Sequence, residues 1–221
     1  FYNKKRVMVT GATGFKGAWL CYWLHMLGAK VYGIGYSPNK NKNLFYSLKL
    51  EKKIKLKLFD IRDKKKLKKF IDSSKPQVIF HLAAQPLILD SYEKPYLTYT
   101  VNSMGTLNVL ETVRETNSVR SLICITSDKC YKNDGRSHGY SEEDALGGID
   151  PYSCSKGCAE LIIQSYQKCF FNEECGQSAL SSVRAGNVIG GGDLSEDRLI
   201  PDLVRAIDTK GKVLIRNPSS T

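Results

Sequence analysis

Short runs of β-branched and apolar residues alternate with helical patterns along this chain of 221 residues. Such alternation is typical of parallel strands joined by helical crossovers. The predicted strands occupy residues 5–10, 30–35, 54–59, 77–82, 119–126, 178–184 and 212–215. The predicted helices occupy residues 14–27, 63–73, 98–117, 151–171 and about 197–209. With a hydrophobic content of 42%, the chain can bury a real core, and the pattern predicts an α/β fold with a doubly wound parallel sheet.

Composition narrows the class of protein further. No apolar run approaches the roughly 20 residues that a membrane-spanning helix needs, and no signal segment is predicted at the start. The seven cysteines are scattered without a Cys-x-x-Cys pair, so neither a metal site nor a disulfide framework is predicted. Cys154 and Cys158 are expected to be small buried thiols. A reducing, cytoplasmic location is therefore expected, with no membrane contact.

The positive charge of the chain is concentrated in one stretch. The formal net charge is +11, and residues 40–75 hold 14 Lys/Arg against 4 Asp/Glu. Part of this stretch predicts a helix that Asp63 caps and that turns Leu67, Phe70 and Ile71 inward and its lysines into water. No aromatic residues interleave with the lysines as a single-strand-binding platform requires, so nucleic acid is not predicted as a partner. An anionic substrate would still be attracted by the positive field.

A glycine-rich turn, TGATGFKG at residues 10–17, follows the first predicted strand and opens the first predicted helix. In a turn of this kind Gly11 permits the tight bend, and Gly14 lets backbone N–H groups approach a pyrophosphate. Gly17 lets the helix pack on the sheet, with the phosphates at the positive helix N-terminus. The context of strand, turn and helix predicts a dinucleotide-binding site.

The residues that would select the dinucleotide leave the choice open. The second predicted strand ends in VYGIGYS at residues 31–37, without the acidic residue that often holds the ribose hydroxyls of NAD. Lys40 and Lys42 follow, so NADP stays open on these residues alone. Asp60 and Ile61, after the third strand, are suited to the adenine edge, while a capping or turn role for Asp60 is an alternative. The small residues of Leu82-Ala83-Ala84 follow the fourth strand, where a cofactor backbone would pass.

A Tyr-x-x-x-Lys pair stands at the start of the predicted helix 151–171. Asp150 is a plausible N-cap and Pro151 suits the first helical position. Tyr152 and Lys156 are four residues apart and therefore share one helix face. A second such pair, Tyr36 with Lys40, contains Pro38 in a predicted loop, so its two side chains need not share a face.

The turn Ser127-Asp128-Lys129 at the end of a predicted strand supplies further polar groups. A tyrosine has a pKa near 10, so action as a base at neutral pH needs a depression that costs roughly 4 kcal/mol. The Lys156 ammonium would favour the phenolate, and Ser127 would orient the same substrate oxygen. Asp128 and Lys129 add acid–base groups that simple alcohol oxidation does not need. A surface turn stabilised by Asp128 is the alternative interpretation.

Several segments together resemble a known family, the extended short-chain dehydrogenases, along essentially the whole chain. Within that family the chain most resembles the CDP-glucose 4,6-dehydratases. The segments that carry the resemblance are TGATGFKG, DIRD (60–63), HLAAQP (81–86), NSMGT (102–106), TSDKCY (126–131), PYSCSK (151–156), RAGNVIGGGD (184–193) and RLIPDLVRA (198–206). TSDKCY and RAGNVIGGGD are the most specific of them. Related dTDP-glucose dehydratases typically read Thr-Asp-Glu where this chain reads Ser127-Asp128-Lys129.

The resemblance implies an NAD-dependent lyase that converts CDP-glucose to a 4-keto-6-deoxy sugar nucleotide. The catalytic residues it implies are Ser127, Asp128, Lys129, Tyr152 and Lys156. The cofactor-binding residues it implies are Gly11, Thr13, Gly14, Phe15, Gly17, Asp60, Ile61, Leu82, Ala83, Ala84, Asn102, Tyr152 and Lys156. The substrate-binding residues it implies are Gln85, Asn187 and Arg198. A homo-oligomer, either a dimer or a tetramer, is also expected.

The resemblance divides the chain into an NAD-binding domain at residues 1–184 and the start of a substrate-binding portion at 185–221. Family members continue beyond the final IRNPSST into a further sugar-nucleotide lobe, so that lobe is expected to be mostly absent here. Ala12 and Asp90 stand where this branch commonly has His and Arg. The alternatives are a nucleotide-sugar 4-epimerase or a dTDP-type dehydratase on the same scaffold, or a non-catalytic NAD-binding regulator.

Overall fold

The computed structural model describes residues 1–36, 38, 43–172, 178–215 and 218. Within these residues a single sheet is formed by the parallel strands β1 Arg6–Thr10, β2 Lys30–Gly35, β3 Lys55–Leu58, β4 Val78–His81, β5 Ser121–Ile125 and β6 Ala179–Val183. Their spatial order is β3-β2-β1-β4-β5-β6. The order reverses at β1, so a crevice opens at the carboxyl ends of β1 and β4. The prediction of a doubly wound parallel sheet is confirmed.

Helices connect the strands on both faces of the sheet. The α-helices are α1 Phe15–Met26, α2 Leu44–Ser47, α3 Lys64–Ser74, α4 Ile88–Glu93, α5 Pro95–Tyr99, α6 Gly105–Arg114, α7 Pro151–Phe170 and α8 Leu199–Thr209. Short 3₁₀ helices cover Leu50–Lys52 and Asp128–Cys130, and a π-helical turn, Thr100–Met104, joins α5 to α6.

Two apolar clusters fill the layers above and below the sheet. Successive residues of a strand point to opposite faces, so Met8 joins one cluster while Val7 and Val9 join the other. Buried side chains from α3, α6 and α7 complete the first cluster, among them Leu67, Leu110 and Ile163. Buried side chains of α1 complete the second, namely Ala18, Cys21 and Leu24. These layers fix the strand ends that carry the site.

The lysine-rich stretch folds as its pattern predicts. The Asp63 side chain accepts a hydrogen bond from Lys66 N at 3.0 Å and caps α3. Leu67 and Ile71 are fully buried, and Phe70 is half-buried against the same cluster. Gly28 has a φ of +79° just beyond α1, where a residue in the left-handed region ends the helix.

Three local predictions need correction. The predicted strand 212–215 is wrong, because this stretch forms no strand and leaves Leu214 and Ile215 exposed without a partner among the described residues. The predicted helix 98–117 begins earlier, at Pro95, ends at Arg114 and contains the π turn. Cys154 and Cys158 are only partly buried, in contrast to the buried thiols predicted.

Candidate active site

The glycine turn joins β1 to α1 at the crevice. Gly11 has a φ of +69°, and a Cβ at this residue would lie 2.8 Å from Ala83 N. A Cβ at Gly17 would lie 2.0 Å from the Gly11 carbonyl oxygen. Gly14 is the N-cap residue of α1, and no side chain caps the helix there. The backbone N–H groups of the first helical turn are thus presented to the crevice, an arrangement that fits a phosphate group.

The residues after β4 lie against this turn. Leu82 N and Ala83 N both donate to Thr10 Oγ1 at 3.1 Å, and Leu82, Ala83 and Ala84 all remain half-buried. Thr13 is buried, and its carbonyl oxygen accepts a hydrogen bond from Asn43 Nδ2 at 2.9 Å. The predicted cofactor-lining residues therefore meet at one edge of the sheet.

The Asp60 side chain stabilises a turn, which is the alternative role that the sequence left open for it. Asp60 Oδ1 accepts from Arg62 N at 2.9 Å, and Arg62 Nη2 lies 2.6 Å from Asp60 Oδ2. Hydrogen bonds from Arg62 lower the pKa of this carboxyl, although burial opposes the effect. The Ile61 side chain is buried in the core. Contact of these two residues with adenine stays a prediction, and Lys40 and Lys42, which left NADP open, lie outside the described residues.

A buried histidine connects the crevice to the π turn. Thr10 Oγ1 already accepts two N–H groups, so its hydroxyl donates to His81 Nδ1 at 2.7 Å. His81 Nε2 then donates to Thr106 Oγ1 at 3.1 Å, and Thr106 Oγ1 donates to the Asn102 carbonyl oxygen at 2.6 Å. Burial, with the nearby Lys156 charge, lowers the His81 pKa to about 3. His81 is therefore neutral and holds the frame of the site.

The π turn places Asn102 between the β4 loop and α7. Asn102 Oδ1 accepts from Gln85 N at 2.8 Å, and Asn102 Nδ2 donates to Ser155 Oγ at 2.9 Å. The Gln85 side-chain nitrogen donates to Thr98 Oγ1 at 3.0 Å. Both predicted binding residues thus have partners within the protein. Their contacts with cofactor and substrate stay predictions.

The helix α7 begins as its sequence predicts. Asp150 caps it by accepting from Ser153 N at 2.9 Å, and Pro151 occupies the first helical position. Ser91 is the buried residue of α4, and its Oγ accepts from Tyr152 N at 3.2 Å. Tyr152 and Lys156 are both buried, being 9% and 6% exposed. The Asp150 cap and α4 therefore fix the start of α7, which carries both side chains toward the crevice.

The predicted catalytic turn lies at the carboxyl end of β5, opposite Tyr152. Ser127 Oγ donates to Asp128 Oδ1 at 3.0 Å and accepts from Lys129 N at 3.2 Å. Asp128 N donates to the Ala185 carbonyl oxygen at 3.0 Å, which ties the turn to the segment after β6. Ser127 is buried, whereas Asp128 and Lys129 are exposed. The structure brings Ser127, Asp128 and Tyr152 together.

The electrostatics of this group differ from the sequence-based expectation. Burial raises the pKa of Tyr152, while hydrogen bonding by Ser127 and the charge of Arg198 favour the phenolate. Burial and the positive charge of Lys16 lower the pKa of Lys156 to about 8. From the sequence, the Lys156 ammonium and the positive nicotinamide ring were expected to favour the phenolate. The structure adds Arg198, whose charge opposes the effect of burial.

Lys16 is a site residue that sequence reasoning missed. Burial and the charge of Arg198 lower its pKa, and the charge of Asp128 opposes them, although much of the residue remains accessible to solvent. Its position in the glycine turn is the signal that could have identified it, because the first turn of α1 faces the crevice.

The segment after β6 crosses the N-terminal part of α1. Trp19 Nε1 donates to the Gly191 carbonyl oxygen at 2.9 Å, and a Cβ at Gly190 would lie 3.1 Å from the Phe15 ring. Arg198 Nη1 lies 3.0 Å from the largely buried Asp193 Oδ2. The structure thus brings Arg198 close to Tyr152. Asn187 lies exposed in the same segment.

A reversed-order parallel sheet, a glycine turn at its crevice and a buried Tyr–Lys pair facing a serine together define a Rossmann-type domain of the extended short-chain dehydrogenase class. The family model described as GDP-mannose 4,6 dehydratase matches residues 8–177. The chain belongs to this family.

Curated and solved relatives agree with that assignment. The chain is 48% identical over 224 residues to a CDP-glucose 4,6-dehydratase of Salmonella typhimurium, covering 100% of this chain and 62% of that protein. Two solved structures share the fold at 24% identity, and each covers 93% of this chain. They are dTDP-glucose 4,6-dehydratase from Bacillus anthracis in complex with NAD (TM-score 0.78, 62% of that chain) and UDP-glucuronic acid 4-epimerase from Bacillus cereus with UDP-glucuronic acid and NAD (TM-score 0.78, 64% of that chain).

The chain thus spans a little over three-fifths of the length of these relatives. Among the described residues, no helix combines the length and the apolar character needed to cross a membrane.

Proposed function

We propose that the protein is an NAD-dependent nucleotide-sugar 4,6-dehydratase whose substrate is CDP-glucose. The observation that carries the proposal is the Ser127-Asp128-Lys129 turn facing Tyr152, because it adds acid–base groups to an alcohol-oxidising pair. The 48% identity to a CDP-glucose 4,6-dehydratase over the whole chain supports the substrate.

In the first step Tyr152 takes the proton of the glucose O4 hydroxyl. Ser127 hydrogen-bonds the same oxygen and orients it, while the charge of Arg198 favours the phenolate. The Lys156 ammonium, one helical turn away, would favour it as well. When bound, NAD would supply a reversible hydride acceptor for the hydrogen of C4, which it later returns to C6. The buried positions of Tyr152 and Ser127 exclude water from this proton transfer.

In the second step the 4-keto group acidifies the C5 hydrogen, and Lys129 removes it as a proton. Asp128 donates a proton to the C6 hydroxyl, which leaves as water. Lys129 is exposed in the chain alone, so the bound substrate would have to cover it for this role. Lys129 returns its proton to C5 as C6 is reduced, and the proton that Tyr152 took from O4 replaces the one that Asp128 gave up. The sum of the steps is therefore the loss of one water, with no net oxidation or reduction.

The glycine turn and the β4 edge would hold the cofactor. Its pyrophosphate would lie at Gly11, Thr13, Gly14, Phe15 and Gly17, where added Cβ atoms at Gly11 and Gly17 would clash with backbone. The adenine would lie at Asp60 and Ile61. The ribose and nicotinamide parts would pass Leu82, Ala83, Ala84, Asn102, Tyr152 and Lys156. Mass spectrometry of the denatured protein should release NAD, and release of the 2′-phosphorylated dinucleotide alone would refute this choice.

The substrate would contact three residues around the same crevice. The charge of Arg198 favours the Tyr152 phenolate and lowers the pKa of Lys16, so Arg198 lies near both residues. This position supports contact with the substrate. Asn187 would lie along the substrate pyrophosphate, and Gln85 would line the crevice beside Asn102. We assign residues 1–184 to the cofactor domain and 185–221 to the beginning of the substrate portion.

We further propose a cytoplasmic homo-oligomer, a dimer or a tetramer. The unpaired thiols of Cys21, Cys124 and Cys130 are consistent with a reducing compartment. Exposed apolar side chains on α5 and α7, Tyr96 and Leu161 among them, support self-association. Light scattering coupled to size exclusion should give a mass of two or four subunits, and a monomer at micromolar concentration would contradict it.

The assay that tests the activity uses protein expressed from its complete coding sequence. CDP-, dTDP- and UDP-glucose are supplied in parallel, and the 4-keto product is followed by ultraviolet absorbance. Product from CDP-glucose at the highest kcat/KM is expected. A 4-epimer without any 4-keto-6-deoxy sugar would refute the proposal.

A further inference from the structure

A fully buried carboxylate lies directly beneath the catalytic turn. Glu160 follows Lys156 by one helical turn on the same face of α7 and has no solvent exposure. Its Oε1 accepts the hydroxyl of Thr126, the residue before Ser127. Its Oε2 accepts from Ser182 Oγ at 3.0 Å and from Arg184 Nη2 at 2.8 Å. One carboxylate therefore joins α7, the end of β5 and the end of β6.

The Arg184 guanidinium extends this junction into the loop after the catalytic turn. Arg184 Nη1 donates to Tyr131 OH at 3.1 Å and to the Glu142 carbonyl oxygen at 3.2 Å. The Tyr131 ring stacks on Tyr140 with centroids 5.0 Å apart and planes 18° apart. The guanidinium of Arg136 lies 4.0 Å from the centroid of the Tyr140 ring. The loop is thereby connected to the buried carboxylate.

The loop, residues 131–146, is also closed at its base. A β-bridge pairs Tyr131 with Leu146, and Lys132 N donates to the Ala145 carbonyl oxygen at 2.8 Å. Arg136 Nη2 lies 2.5 Å from Asp144 Oδ2, which ties the first half of the loop to its last residues. The loop is thus an ordered unit whose inner wall is the Tyr131 ring.

The catalytic turn is held from both ends by this junction. Thr126 precedes the turn and binds Glu160, and Asp128 N donates to the carbonyl oxygen of Ala185, the neighbour of Arg184. Removing the carboxylate charge would leave the buried Arg184 guanidinium without its counter-charge. We propose that Glu160 and Arg184 are positioning residues that hold the Ser127-Asp128-Lys129 turn against Tyr152, and that Tyr131 couples the turn to the loop 131–146.

The same carboxylate acts on the Lys156 charge. The charged or titratable groups that face Lys156 are Lys16 from α1, His81 from β4, Cys124 and Cys130 around β5, and Glu160 from α7 itself. Glu160 is the only carboxylate in this set among the described residues, and it raises the pKa of Lys156, so its replacement removes an interaction that favours the ammonium. A purely structural role elsewhere would not change the titration of Lys156.

The test compares Glu160→Gln with Glu111→Gln in protein expressed from its complete coding sequence. Glu111 is a matched control, because it also binds an arginine, Arg114 at 2.8 Å, and a tyrosine hydroxyl, Tyr166 at 2.8 Å. Backbone hydrogen exchange is measured on a peptide covering residues 126–131 and on one covering β1. Faster exchange of the 126–131 peptide, with β1 unchanged, is expected in Glu160→Gln alone.

The kinetic arm rests on the proposed function. In Glu160→Gln, kcat should fall about 100-fold, as expected when catalytic groups are misplaced by about 1 Å. KM should change little, and the alkaline limb of the pH profile should move to lower pH. Tyr131→Phe removes only the phenol hydroxyl, so it should speed exchange of the 126–131 peptide and lower kcat to a smaller extent, and it should leave the alkaline limb in place because the Glu160 carboxylate stays. It replaces Glu160→Gln should that variant fail to fold.

The two proposals fail separately. Absence of 4-keto product with the unmodified protein would refute the proposed function, and the exchange experiment would still decide the positioning role. Equal exchange of the 126–131 peptide in Glu160→Gln and Glu111→Gln would overturn the positioning role. An unchanged kcat and pH profile in Glu160→Gln would overturn it as well.

Discussion

Replacing Lys156 by methionine should stabilise the protein at neutral pH while it destroys activity. The ammonium is buried, and burial together with the Lys16 charge lowers its pKa from 10.5 to about 8. Holding a charged group under these conditions costs about 3 kcal/mol of folding free energy. Methionine has a similar length and carries no charge, and the hydrogen bond it forfeits, to the Ile125 carbonyl oxygen, is long at 3.5 Å.

The sign of the stability difference follows from the protonation of Lys156 as the pH changes. Below about pH 8 both folded and unfolded chains carry the Lys156 proton, and the full cost is present. Between about pH 8 and 10.5 the unfolded chain binds more protons at Lys156, so the stability of the unmodified protein rises with pH. The advantage of Lys156→Met should therefore be about 1–3 kcal/mol at pH 7 and fade toward pH 10.5.

Urea unfolding at a series of pH values from neutral to alkaline measures this difference. Subtracting the two free energies of unfolding at each pH cancels the other titrating groups. Lys129→Met is the control, because Lys129 is exposed and its replacement should give only a small difference. A Lys156→Met protein that is less stable at pH 7, or a difference independent of pH, would refute the electrostatic reasoning.

Three further changes test individual parts of the site. Tyr152→Phe should abolish C4 oxidation with an unchanged melting temperature, and near-normal turnover would mean that another group takes the O4 proton. Asp128→Asn should stall after oxidation, so the near-ultraviolet absorbance of reduced cofactor should build up on adding substrate; product at the unmodified rate would favour the surface-turn interpretation. Gly11→Ala should destabilise the protein well beyond the roughly 1–2 kcal/mol of a left-handed backbone, because its Cβ would lie 2.8 Å from Ala83 N. Gly135→Ala is the matched control, with a φ of +72° and nothing within 4 Å, and equal losses in both variants would contradict the close-approach argument.

The sheet could be predicted because its signals are local. Each observed strand lies within a predicted one. The central strands β1 and β4 read as short apolar runs because both of their faces are buried. The predicted strand 212–215 had the same composition but finds no neighbouring strand in the described part of the chain. β-propensity describes how well a side chain fits a pleated, half-buried surface, so it cannot by itself produce a strand.

Site features that depend on contacts between residues distant in sequence could not be predicted. The helix pair Tyr152 and Lys156 and its Asp150 cap follow from spacing within one segment. Ser91, which holds Tyr152 N, lies 61 residues away, and its short helix α4 gives almost no periodic signal. The π turn that presents Asn102 likewise has no sequence signature. Glu160 shares the face of Lys156, and a carboxylate at that spacing could have been recognised as buried only with knowledge of Thr126 and Arg184.

The fate of the C4 hydrogen tests the central claim most directly. CDP-glucose labelled with deuterium at C4 is incubated with the protein expressed from its complete coding sequence, and the product is analysed by NMR and mass spectrometry. A 4,6-dehydratase carries the label to the C6 methyl group of a 4-keto-6-deoxy sugar, and this is the predicted result. Label retained at C4 of a 4-epimer, or no label transfer at all, would contradict the account.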